Sequence, residues 1–282
     1  MKKVGQFFFT FLPLLLVIGI QFLATFFAMG VSMLWEFLIK GASMNAFADL
    51  SELWVSLDFN TGIMIIYSLL SISVFGIWYY AKYGGNYLTK PALVFHPLSV
   101  IGILMLVAGM QYLISYLISF IASIFPQWLQ AYDELLESAG LDSTISIGMF
   151  VYSVLLAPIG EELVFRGVTM HQAKRYAPFW AANILQAVLF GVFHMNIIQG
   201  IYAFFLGLVL GYVCEKGGSI YSAILFHLLF NFWGTVLSAF ISIENTLFSF
   251  IFWFMFGLVM TIGGLAVFSL GVQKRDAYYR CK

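Results

Sequence analysis

Charge is what this sequence has least of. Only 9% of its 282 residues are Asp, Glu, Lys or Arg, against 62% hydrophobic and 19% aromatic. A soluble domain carries about 25% charged residues. Water cannot solvate a surface so poor in charge, so the solvent must be lipid. The same oily, aromatic composition excludes disorder. Formal net charge is zero, so the total balance gives no sign of a nucleic-acid partner. Cysteine is scarce as well. Cys214 and Cys281 both fall on the side read below as cytosolic, which argues against a disulfide framework. Internal repeats and low-complexity tracts are lacking, and the long apolar runs do not alternate as barrel strands would.

What is present in quantity is uninterrupted apolar sequence. A spanning helix needs about 20 such residues. Candidate spans lie at roughly 6–35, 61–81, 97–124, 145–170, 178–196, 199–214, 219–242 and 246–271. The run after Met1-Lys2-Lys3 lacks a small-residue cleavage site, so it reads as a retained span and not a signal peptide. The expectation is an all-α, polytopic transmembrane bundle of about eight spans. The chain divides into N-terminal spans (1–144), a core (145–242), and a last span with a basic tail (243–282).

Lys and Arg set the orientation. With the N-terminus inside, the inner segments hold Lys2, Lys3, Lys82, Lys90, Lys174, Arg175 and Lys216, and the tail adds Lys274, Arg275, Arg280 and Lys282. The outer loops hold Lys40 and the acids Asp49, Glu52, Asp58, Asp133, Glu134, Glu137, Asp142 and Glu244. Both termini are therefore expected in the cytosol, in a multi-pass protein of a bacterial plasma membrane. Residues 126–142 read as an amphipathic helix on the outer face.

Charged groups inside spans are costly and mark function by default. They are Glu161, Glu162 and Arg166 in the fourth span, His194 in the fifth, and His227 with Asn231 in the seventh. Glu162 and Arg166 are four apart, so they share a helix face and can pair. Glu161 points roughly 100° away and is left without that cation, which suits an acid that takes and gives protons. The plain alternative is a packing network of both acids with Arg166. His194 alone would read as a structural histidine. However, Ala177-Pro178 is a natural helix break midway between Glu161 and His194. An antiparallel hairpin turning there sets the two at similar depth, with His171 to Tyr176 projecting past the inner interface. His227 and Asn231 share a face by the same spacing of four. Their plain reading is interhelical hydrogen bonding. Phe204-x-x-Gly207-x-x-x-Gly211 reads as close packing. The sixth span looks too short to cross, so the turn Met195 to Gly200 is expected to be buried within the protein.

Glu161-Glu162-x-x-x-Arg166, Phe190-x-x-x-His194 and His227-x-x-x-Asn231, in order on three spans, resemble the motifs of the CPBP family of intramembrane proteases, which includes the CAAX prenyl endopeptidases and bacterial Abi proteins. The resemblance covers about residues 145–240. It implies hydrolysis of a peptide or protein substrate within the bilayer, near its cytosolic side. By that resemblance Glu161 and His194 hold and activate water, His227 and Asn231 stabilise the oxyanion, and Glu162 with Arg166 orient the site. No cofactor is certain. Glu161, His194 and His227 are residue types that could bind a divalent metal such as zinc, but no H-E-x-x-H helix is present. Two other classes compete: a proton-coupled transporter, which would show repeats or paired broken helices, and a non-enzymatic immunity or scaffold protein, which would tolerate loss of Glu161. Short loops argue against prenylated Ras-like substrates and favour peptide maturation or bacteriocin processing.

Overall fold

The computed structural model describes residues 2–41, 43–84, 94–141, 145–237 and 246–280. Lys90, Asp142, Glu244, Cys281 and Lys282, used in the sequence reading, lie outside the described residues. The described chain is helical, with no strand. In order it forms α1 (Lys2–Phe9), α2 (Leu12–Lys40), α3 (Met44–Val55), α4 (Leu57–Tyr83), α5 (Pro97–Ile124), α6 (Pro126–Ser138), α7 (Ile147–Ala173), α8 (Phe179–Phe193), α9 (Ile197–Gly217), α10 (Ile220–Thr235) and α11 (Leu247–Arg280).

Among the described residues six helices are long and apolar enough to cross a membrane: the α1–α2 stretch, α4, α5, α7, α9 and α11. Helices α8 and α10 are apolar but shorter. The protein is thus a multi-pass membrane bundle. The first span is interrupted at Thr10–Phe11, just before Pro13 in the first turn of α2. Helix α3 falls in what the sequence reading left as an outer loop. Its start is capped by Ser43, whose hydroxyl accepts from the Ala46 N–H.

Between membrane helices lipid removes the hydrophobic drive, so close approach and hydrogen bonds must hold the bundle. The longest pairing, α5 against α11, works by close approach. A Cβ on Gly109 would strike the Thr261 backbone, and one on Gly271 would strike Leu98 and Ser99. Hydrogen bonds do the rest. Gln111 Nε2 donates to the Phe230 carbonyl at 2.6 Å, tying α5 to α10.

The two ends of the bundle differ in charge. At one end Lys174 pairs with Glu215, and the buried Arg275 donates to the carbonyls of Gly217 (2.7 Å) and Val94 (2.9 Å). Lys82 lies at this end too, over the rings of Phe9 and Trp78. At the other end Lys40 pairs with Glu36 and Asp49, and α6 carries Asp133, Glu134 and Glu137. Helix α6 buries no residue, as an amphipathic surface helix should.

One expectation about loops needs correction. Helix α9 has 21 residues, enough to cross, because it starts at Ile197 on an Asn196 cap and continues to Gly217. In the turn expected to be hidden, Met195 and Ile197 are exposed (78% and 52%) while Ile198 is buried. In the stretch from His171, His171 and Gln172 are buried, with His171 Nδ1 2.8 Å from the Arg166 carbonyl and its ring against Tyr83.

Candidate active site

Helix α7 is not uniform. Val151–Leu156 and Leu163–Thr169 are π-helical, and between them the α-helical turn Ala157–Glu162 carries the two acids. In the first π segment the Ala157 N–H donates to the Tyr152 carbonyl five residues back. The next donor in that ladder would be residue 158. It is Pro158, which has no N–H. The Ser153 carbonyl therefore lacks its helical partner, and Asn231 Nδ2 on α10 supplies one at 2.9 Å. Such π segments cluster at functional sites.

Glu162 and Arg166 are both fully buried and pair at 2.8 Å. The same carboxylate oxygen, Oε1, is 2.8 Å from His227 Nδ1. Arg166 also lies over the Phe190 ring, with Cζ 4.4 Å from its centroid. A cation–π contact is strongest when desolvated, as here. Gly207 makes room for the guanidinium, since a Cβ there would sit 3.2 Å from Nη2. Behind it, Gln186 Nε2 donates to Asn183 Oδ1 (2.7 Å) and to the Gly207 carbonyl (2.9 Å), and Asn183 Nδ2 donates to the Leu208 carbonyl (3.0 Å). A side chain on Gly211 would collide with Asn183 and Gln186. The glycine pair thus admits a polar layer between α8 and α9, beyond the plain packing read from sequence.

Glu161 faces elsewhere. Its Oε2 is 3.7 Å from His227 Nε2, too long for a direct hydrogen bond. His227 therefore stands between the two acids, anchored through Nδ1 and presenting Nε2 to Glu161. His194 ends α8, its Nδ1 2.8 Å from the Phe190 carbonyl. A carbonyl only accepts, so Nδ1 carries the proton and Nε2 holds the lone pair in the neutral ring. Phe190 meets both imidazoles edge to face, at 4.8 Å from His194 and 5.8 Å from His227.

Glu161, His194, His227 and Asn231 line one cavity of about 490 Å³. Glu162 and Arg166 lie behind its wall. Among the polar lining residues that sequence reading passed over are Gln111, Tyr67, Tyr152 and Tyr202. Tyrosines are ordinary in membrane helices, so only their convergence distinguishes them. Asn183 and Gln186 were findable, as two amides three residues apart in an apolar helix.

For the metal set offered by sequence, no three His, Cys, Asp or Glu side chains among the described residues are placed to hold a metal ion.

Residues 143–233, which contain all of these motifs, match a family model described as Type II CAAX prenyl endopeptidase Rce1-like. The match is consistent with a CPBP-family intramembrane protease and supports intramembrane endopeptidase activity. No curated protein and no solved structure matches the chain.

Proposed function

We propose that the chain hydrolyses a peptide bond inside the membrane with water activated by Glu161 and His194. The observation carrying this reading is the convergence of Glu161, His194, His227 and Asn231 on one interior cavity, within the stretch that matches the endopeptidase family. Glu161 is the acid without a cation partner, and His194 holds a lone pair on Nε2. One of them takes the proton of a bound water as its oxygen attacks the carbonyl carbon. His227 can donate to the resulting oxyanion when both its nitrogens carry protons, with Nδ1–H held by Glu162 and Nε2–H turned to the cavity. Preorganised donors of this kind lower the barrier most. Asn231 has one amide hydrogen committed to the Ser153 carbonyl, which aims the second. The C–N bond then breaks, and the leaving amine takes the proton back. The sum is one water consumed, with one carboxyl and one amine formed.

No step is routed through a metal, as no trio of His, Cys, Asp or Glu placed to hold one is found among the described residues. The biological output we favour is peptide maturation, with bacteriocin processing or immunity as its setting. Comparative peptidomics of membranes expressing wild type, Glu161→Ala or His194→Ala tests the reading. Products should vanish in both variants while insertion and thermal stability persist. Proteolysis retained in both would refute it.

A further inference from the structure

The cavity is lopsided, and its direction bears on what reaches it. On α7 the wall takes Met149, Tyr152, Ser153, Ala157 and Glu161, and nothing beyond Glu161. On α10 it starts at His227 and runs to Thr235. On α5 it runs from Gln111 to Ile118, and on α9 from Gln199 to Leu206. Each of these stretches lies on the same side of the Glu161–His227 level. It is the side where α6 lies, and α6 itself contributes Tyr132, Leu135 and Leu136. The Tyr132 and Tyr202 hydroxyls stand 3.5 Å apart, across the seam between α6 and α9. Toward the basic end the wall is closed by buried packing: Phe165, Val168, Ala173, Val213 and Ile220.

The charge rule places the basic end in the cytosol. Helix α6 with its three acids then lies on the opposite face. We infer that the cavity is filled from the outer face of the membrane, beneath α6, by an uncharged internal stretch of polypeptide. Among the described residues the wall holds no Lys, Arg or Asp, and Glu161 is the one acid there. A free terminal carboxylate lodged there would meet that acid and, among the described lining, neither Lys nor Arg, at a desolvation cost. Phenols and amides instead suit the backbone of an extended neutral segment. The inference rests on the proteolytic reading for its substrate, and on the cavity's geometry together with the charge rule for its direction. It reverses the sequence expectation of hydrolysis near the cytosolic side.

Thiol accessibility tests direction without requiring activity. In a Cys214→Ala, Cys281→Ser background, Ser115→Cys and Thr235→Cys report the cavity and Lys216→Cys reports the basic end. A membrane-impermeant sulfonated maleimide should label the two cavity thiols at least tenfold faster in intact cells than in inverted vesicles, with Lys216→Cys showing the reverse. Cavity thiols labelled first in inverted vesicles, or by the impermeant reagent from neither side, overturn the inference. So does a Lys216→Cys thiol labelled in intact cells. Mass spectrometry of Glu161-dependent products tests the substrate class. Cuts are expected inside uncharged stretches on the outer half of the membrane, and cuts a few residues from a free C-terminus on the cytosolic side overturn that part. If no Glu161-dependent product exists, the proteolytic reading falls while the thiol result still decides the direction.

Discussion

Glu162 and His227 meet through a single carboxylate oxygen, Oε1 to Nδ1 at 2.8 Å, although 65 residues separate them in the chain. That oxygen also takes Arg166 Nη1. The neighbouring acid, Glu161, is left to the cavity. Two adjacent carboxylates thus differ in consequence when lost.

Glu162→Ala removes the counter-charge of a fully buried guanidinium. Breaking a buried pair this way costs about 3–5 kcal/mol. Thermal unfolding in detergent should show Glu162→Ala strongly destabilised and Glu161→Ala close to wild type. Equal losses in the two variants would contradict the division of labour drawn here.

Asn231→Ala orphans the Ser153 carbonyl, at a cost of about 1–3 kcal/mol. Adding Pro158→Ala returns an N–H to the ladder. A double-mutant cycle should therefore find the pair less destabilised than the sum of the single changes. Strict additivity would mean that Asn231 does not serve that carbonyl.

Gly211→Ala should impair folding, since the added methyl meets the Asn183–Gln186 amides, whereas Gly19→Ala, with nothing within 4 Å, should be silent. Yield of monodisperse protein in detergent, compared across the two variants, reads this directly. A stable Gly211→Ala protein would show that the amide layer can shift.

Chelation should leave Glu161-dependent cleavage unchanged, and elemental analysis should find less than stoichiometric transition metal. The ground is that no trio of His, Cys, Asp or Glu placed to hold a metal is found among the described residues. Activity lost to a chelator and restored by zinc would overturn it.

Much of this was written in the sequence at the level of period and charge. Apolar runs gave the long helices because only helices satisfy their backbone in lipid. The spacing of four between Glu162 and Arg166 gave their pair. Less legible was anything set by contact across helices. That His227 would bridge to Glu162 depends on how α7 and α10 pack. The π segments were invisible, since apolar residues do not announce a wider turn. The length of α9 was misjudged because Asn196 is a cap that starts a helix where a buried turn was expected.

The wide turn at Val151–Leu156 carries one residue more than an ordinary helical turn would. Removing one residue there would let the stretch tighten to the ordinary pitch, which absorbs the deletion and leaves Glu161 near its present bearing. The same deletion in a plain α-helical stretch turns everything beyond it by about 100°. The wide turn is thus the place where α7 tolerates a change of length without losing the aim of its acid.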